Sequence, residues 1–279
     1  MNTSKLLIYT DLDGSLLNHH DYNFDAAIPL LESLEQQGVP VIANTSKTCA
    51  ELIALRKKLN NHHPFIAENG AAVFIPAGYF THHPEGTFLQ DHYWVKAFVE
   101  PRSHWQQLLS ELSPNMRAAY ESFTYMGVEG IIRSTGLSNI EASRASMREY
   151  GEPIEWYSGN ALKQTFIDTM TSAGANVLEG GRFMHISGHC NKGDAMQWLT
   201  KQYEKASPES TFVNIAIGDS ANDIAMLNTA NYAVAVKAPN KPYPSINNSG
   251  TLIKTATIAP EGWVEGISQA IALHRIHQS

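Results

Sequence analysis

The sequence predicts an α/β protein, a parallel-sheet core interrupted by an inserted α+β domain. Three observations carry this. Apolar runs of strand length alternate with amphipathic runs of helix length over roughly the first 80 residues and again near the C-terminal end, the pattern of strand–helix crossovers. The stretch between them breaks that alternation. Two acidic clusters, one near each end of the chain, follow directly on apolar runs. In an open parallel sheet that is where the crevice lies, outside the carboxyl ends of the strands.

LLIYT reads as the first strand, and DAAIPLLESLEQQG as an amphipathic helix closed by Gly38. VPVIANT is the next strand, CAELIALRKKLN a second helix, and PFIAENGAAVFIP a strand, a turn and a further strand. Residues 1–84 are therefore assigned to the core. Residues 85–187 are assigned to the insert, with strands expected at YWVKAFVE, YMGVEGIIR, PIEWYS and FMHISG. Its helices are expected at SHWQQLLSEL, at 138–150 and at ALKQTFIDTMTSAG. Residues 188–279 return to the core: KGDAMQWLTKQYEK as helix, TFVNIAIGDS as strand and loop, ANDIAMLNTA as helix, YAVAVK as strand, PNKPYPSINNSG as loop and VEGISQAIALHR as a closing helix.

The chain has 279 residues, 43% of them hydrophobic and 17% charged, with a formal net charge of −7. This is the composition of a globular protein. The acidic balance and the lack of a basic block argue against nucleic acid as a partner. An acidic protein binds anions through a few focused cations and a metal. Cys49 and Cys190 do not make a disulfide framework. No apolar stretch has the length of a bilayer span, and the N-terminus does not read as a signal peptide. A cytoplasmic protein with no membrane partner is expected. Oligomeric state is not legible.

The chemistry begins at Asp11-Leu12-Asp13-Gly14-Ser15. Side chains two apart on an extended chain share one side, and Gly14 lets the backbone turn away. Two close carboxylates repel unless a cation joins them, and Mg2+ is the usual one. Asp11 is the candidate nucleophile toward phosphorus. Asp13 is placed to protonate the leaving oxygen and then to activate water. The bland alternative is a surface Asp-x-Asp in a loop. The second cluster is Gly218-Asp219-Ser220-Ala221-Asn222-Asp223, after FVNIAI. Asp219 is expected to reach the metal. Asp223 can accept a hydrogen bond or bind a metal water, with Asn222 orienting the same group. An ordinary helix N-cap explains part of this cluster equally well. Thr45, at the end of VPVIAN, offers a hydroxyl to a phosphoryl oxygen. Lys192 offsets charge on a transferring phosphoryl group and on Asp11.

This ordered set resembles the haloacid dehalogenase superfamily of phosphatases, in the type with a large α/β (C2B, Cof-like) cap between the second and third motifs. The resemblance implies a Rossmann-like parallel core with an inserted cap. It also implies Asp11 as nucleophile, Asp13 as acid/base, and Thr45 and Lys192 as phosphate ligands. Magnesium would be held by Asp11, the Asp13 backbone carbonyl and Asp219, with Asp223 in support. DLDGSLL, NTSKT, AENGA, GGRFMHISG, GDSANDIAML and EGWVEGI are similar to the mannosyl-3-phosphoglycerate phosphatase family. Thr45-Ser46-Lys47 stands where broader sugar phosphatases of this cap type carry Thr-Gly-Arg. The narrower resemblance implies hydrolysis of 2-O-mannosyl-3-phosphoglycerate to mannosylglycerate and phosphate, within mannosylglycerate biosynthesis.

For the substrate, Lys47, Arg144 and Arg182 are candidates to meet a glycerate carboxylate, and Glu68, Asn69 and His185 to face the sugar. Surface ion pairs and turns are the alternatives, and Asn69-Gly70 is itself a turn signal. Trp156 either stacks on sugar or packs in the cap sheet. The pairs His19-His20, His62-His63 and His82-His83 lack zinc spacing and read as exposed turn residues. The competing functions are hydrolysis of another phosphoester, such as glucosyl-3-phosphoglycerate or a hexose phosphate, a phosphomutase, and a non-catalytic binding domain.

Overall fold

The computed structural model describes residues 3–180, 182–239 and 241–277. Gly181 of the GGRFMHISG segment and Asn240 of the loop expected at 239–250 lie outside the described residues, as do the first two and last two positions. The chain opens with β1 (Thr3–Thr10), α1 (Ile28–Gln36), β2 (Val41–Ala43) and α2 (Cys49–Lys58). Two hairpins follow, β3 (Phe65–Ala67) with β4 (Ala72–Pro76) and β5 (Phe88–Gln90) with β6 (Tyr93–Ala97). Then come α3 (Arg102–Ser110), α4 (Pro114–Arg117), β7 (Tyr120–Ser122), α5 (Phe123–Thr135) and α6 (Asn139–Ser146). β8 (Glu152–Trp156), α7 (Asn160–Ser172), β9 (Asn176–Gly180) and β10 (Phe183–Ser187) lead to α8 (Lys192–Ala206). The last part holds β11 (Ser210–Gly218), α9 (Ile224–Thr229), β12 (Tyr232–Ala235), β13 (Thr251–Lys254) and α10 (Glu261–His277).

These elements form two compact units. The first comprises residues up to Ser46, Arg56–Lys96 and Asn191 onward. Its main sheet has the order β13-β12-β11-β1-β2 and is parallel throughout. Leu7, Ile8 and Tyr9 of β1 and Ile215, Ala216 and Ile217 of β11 are all buried, as strands covered on both faces must be. Thr10 pairs with Ile217, so the two acidic loops leave adjacent strands at one edge. A second sheet of the same unit runs β3-β4-β6-β5. The strand expected at YWVKAFVE is therefore β6 of this sheet, outside the insert's own sheet. β5, β7, β9 and β13 are strands the sequence reading missed. β13 is short and half exposed, and its apolar pattern is correspondingly weak.

The second unit comprises Lys47–Leu55 and Ala97–Cys190. Its sheet, β7-β8-β10-β9, is antiparallel. Ile154, Met184 and Ile186 meet Trp105 and Leu109 of α3 and Phe166 and Met170 of α7 in one apolar cluster. Phe183, on the opposite face of β10 by alternation, packs against Phe123, Met126, Ile131 and Ala142 of α5 and α6. Residues 125–133, expected as a strand, lie in α5. Phe123, Met126 and Gly130 are buried at spacings of three and four, with Ile131 beside them, and that is the period of a helix face. Gly127, at φ 59° and ψ −174°, breaks this helix, which explains why its periodicity is weak in the sequence. Ser138 and Glu141 cap α6 reciprocally. Trp156 stacks on Tyr120 and donates its indole N–H to the Ser158 carbonyl, the packing alternative for that residue. No helix among the described residues is long and apolar enough to cross a membrane.

One ion pair ties this unit together. Glu152 is fully buried, and its carboxylate accepts from Arg102 Nε, from the Thr124 backbone N–H at 2.9 Å and from Gln106 at 3.2 Å. Burial pushes its pKa up, but the Arg102 guanidinium and the Thr124 donors outweigh it and hold the value below the ordinary glutamate range. A depressed carboxylate stabilises the fold above its unfolded pKa, and that stability is lost as pH falls through its folded value. Glu152→Gln is expected to lower the unfolding free energy by about 3 to 5 kcal/mol at neutral pH. In urea melts across a pH series the gap to the wild type should close in acid.

Candidate active site

Lys192 is the first residue of α8, whose N-cap Asn191 accepts from the Asp194 N–H. A cation is disfavoured at a helix N-terminus and more so when fully buried. Here the ammonium donates to Asp11 Oδ1 and to Asp223 Oδ1, each at 2.6 Å. Burial alone would pull its pKa down, but the two carboxylates together raise it above the ordinary lysine value. Asn44, buried at the end of β2, donates to the Lys192 carbonyl at 2.9 Å.

Asp11 continues β1, its N–H bonded to the Ile217 carbonyl and its own carbonyl accepting from Thr10 Oγ1. Thr10 in turn accepts from the buried indole of Trp263 at 3.0 Å. Asp223 Oδ2 accepts from the N–H groups of Asp219 and Ser220 at 3.1 and 3.0 Å, closing the turn at the end of β11. Asp223 therefore caps the turn with one oxygen, as the N-cap alternative expects, and meets Lys192 with the other. Gly218 admits it, since a Cβ there would lie 2.4 Å from the Asp223 carboxyl carbon.

Asp11, Asp219 and Asp223 each bring a carboxylate oxygen within 4.8 Å of the others. One ammonium does not neutralise three buried carboxylates. Burial, together with Asp223 and Asp13, outweighs Lys192 and pushes Asp11 up to about 8. Asp219 is likewise raised, by burial and by Asp223, against the partial offset of His19 and Lys192. Asp219 Oδ1 is buried with no hydrogen-bond partner among the described residues. Hard oxygen donors, surplus negative charge and an orphaned oxygen fit a divalent cation. Asp11 and Asp219, with Asp223 beside them, are the residues that would hold it.

Asp13 lies in the tight turn closed by the Gly14 N–H to the Leu17 carbonyl at 2.8 Å. It is close enough to contribute to the charge felt by Asp11. Thr45 is buried beyond β2, and its carbonyl accepts from the Asn69 N–H. Glu68 and Asn69 both have positive φ, and Gly70 (φ +91°) sits where a Cβ would lie 2.1 Å from the Asn191 carbonyl oxygen. Asn69 Oδ1 accepts from Asn222 at 3.0 Å. All these candidates belong to the first unit.

Lys47, Arg144, Arg182 and His185 belong to the second unit. Thr48, next to Lys47, donates to the Arg144 carbonyl at 3.0 Å. Arg182 is exposed and donates to the Ser134 carbonyl. His185 shares the Phe183 face of β10 by alternation. Burial, with Arg148 nearby, lowers its pKa to about 4 and keeps it neutral.

His19 is exposed in a turn as expected, yet it reaches the site, whereas His63 departs from the exposed-turn reading. His19 Nε2 lies 3.2 Å from Asp219 Oδ2. His63 is largely buried between Glu35 and the Tyr79 hydroxyl, each at 2.8 Å. Asn44, Thr10 and Trp263 carried no signal as site residues, because each acts on a neighbour's backbone or hydroxyl rather than through a motif.

The fold and this constellation of acidic loops around a buried lysine belong to one enzyme class. The chain is a member of the haloacid dehalogenase-like hydrolases, whose family profile matches residues 8–93 and 154–247. It is 36% identical over 269 residues to the glucosyl-3-phosphoglycerate/mannosyl-3-phosphoglycerate phosphatase of Methanococcoides burtonii, covering 96% of this chain and 97% of that protein. The protein of the same description from Persephonella marina is 34% identical over 94% of this chain and 96% of its own length. A haloacid dehalogenase-like hydrolase from Bacteroides thetaiotaomicron has the same fold, with a TM-score of 0.64 at 15% identity, covering 98% of this chain and 99% of that one.

A divalent cation that binds only the folded state raises its stability, by about 2.7 kcal/mol at a hundredfold excess over Kd. Calorimetric melts of EDTA-treated protein are expected to shift upward on adding the cation. In Asp219→Asn, which removes a charge from the cluster, the shift should be largely lost.

Proposed function

We propose that this protein is a magnesium-dependent phosphomonoesterase working through an aspartyl-phosphate. The observation that carries the reading is Asp11, buried at a strand end, held by Lys192 and grouped with Asp219 and Asp223. Asp11 Oδ2 is the oxygen left to attack phosphorus, since Oδ1 receives the Lys192 ammonium. The P–O bond to the leaving alkoxide breaks as Asp13 delivers a proton to that oxygen. Asp13, now a carboxylate, takes a proton from water, which cleaves the aspartyl-phosphate and returns Asp11 with inorganic phosphate. Lys192 and the Thr45 hydroxyl would stabilise the equatorial oxygens throughout. Magnesium, when bound, supplies charge neutralisation that keeps Asp11 ionised and lets it approach an anion.

The substrate we infer is 2-O-mannosyl-3-phosphoglycerate, giving mannosylglycerate and phosphate. Support comes from two relatives named for such a substrate and similar over nearly their full length. The same names favour the glucosyl counterpart as a second reading. Lys47, Arg144 and Arg182 supply cations suited to a glycerate carboxylate. Glu68, Asn69, Asn222 and His185 supply neutral or acidic groups suited to hydroxyls.

Phosphate release with magnesium should favour the mannosyl or glucosyl ester over 3-phosphoglycerate and hexose phosphates by at least about tenfold in kcat/KM. Preference for a hexose phosphate overturns the substrate. Asp11→Asn should cut kcat by at least about a thousandfold while the thermal melt in EDTA stays cooperative. Near-normal turnover by that variant overturns the mechanism.

A further inference from the structure

The Asp219 carboxylate has two oxygens in different surroundings. Oδ2 meets the Nε2 of His19 at 3.2 Å, and Oδ1 is the buried oxygen with no hydrogen-bond partner among the described residues. The Asp219 side chain is 5% exposed and that of His19 33%, so the imidazole is the solvent-facing partner of the pair. The turn after Asp13 is shaped for this ring. Gly14 has φ +82°, and a Cβ there would lie 2.2 Å from the His19 ring and 2.8 Å from Asp219 Oδ2. A residue other than glycine at position 14 would displace the imidazole as well as strain the turn.

We propose that His19 is a positioning residue of the metal site: it engages Asp219 Oδ2 and so fixes the carboxylate rotamer that presents Oδ1 to a divalent cation. This rests on the reading of Asp219 as a ligand. The physical ground is that a ligand carboxylate already held in place loses less rotational freedom when the cation arrives. Groups that hold metal ligands from behind are typically worth ten- to a hundredfold in affinity, at about that order. A neutral imidazole with its proton on Nε2 suffices, so the role needs no change of charge. His19 is carried on the same loop as Asp11 and Asp13, and it joins that loop to the end of β11 without entering the acidic cluster itself.

The test is calorimetric titration of MgCl2 into EDTA-treated, dialysed full-length protein, comparing wild type with His19→Ala and His19→Gln. The expected result is a Kd for magnesium at least about tenfold weaker in H19A and within about threefold of wild type in H19Q, whose amide N–H reaches a similar distance. Thermal melts in EDTA should coincide for the three proteins, which separates positioning from folding. Wild-type affinity in H19A, or equal loss in H19A and H19Q, overturns the proposal. If the wild type itself takes up no magnesium, the metal reading fails instead, and the two failures are distinct.

Discussion

A lysine ammonium buried between two carboxylates organises the first unit. Lys192 cannot be charged in that interior, at the positive end of a helix, without Asp11 and Asp223 on either side. Meeting both requires that β1, β11 and the start of α8 converge, and this convergence fixes the surrounding sequence. Gly193 cannot carry a side chain, because a Cβ would lie 2.6 Å from the Ala225 carbonyl. Gly70 is constrained in the same way by Asn191, and Asn44 secures the Lys192 backbone. These residues lie far apart in the chain and answer to one electrostatic requirement.

That lysine leaves the charge unbalanced by design. Three carboxylates gather at the ends of strands whose last residues are largely apolar and buried, and burial raises two of them. A cation held there would offset that penalty and keep Asp11 ionised, as the proposed role of nucleophile needs. Backbone support from Thr10 and Trp263 ties the position of Asp11 to α10, so the closing helix contributes to the site without reaching it.

The second unit follows different physics. Its centre is apolar on both faces of an antiparallel sheet, with a buried pair, Glu152 and Arg102, satisfied by Thr124 and Gln106. Its candidate substrate groups sit on the surface or half buried. Such a unit can change its polar surface while its core persists.

The sequence by itself determined the class of fold, the parallel core, the insert and the four motifs, because strand-end carboxylates and apolar runs are local signals. Asp11 and Asp219 were legible for that reason, but that β1 and β11 lie side by side was not. Only the tertiary structure decided the rest. Residues 125–133 form a helix because their buried positions recur at helical spacing against Phe183, a contact no window of sequence contains. The hairpin of β5 and β6 joins the first unit through pairing with β4, which is a long-range choice. His19 reads as an exposed turn residue until Asp219, two hundred positions on, is brought against it. Motifs declare which groups do chemistry, and folding alone declares which groups hold them, since holding is a relation between distant parts of the chain.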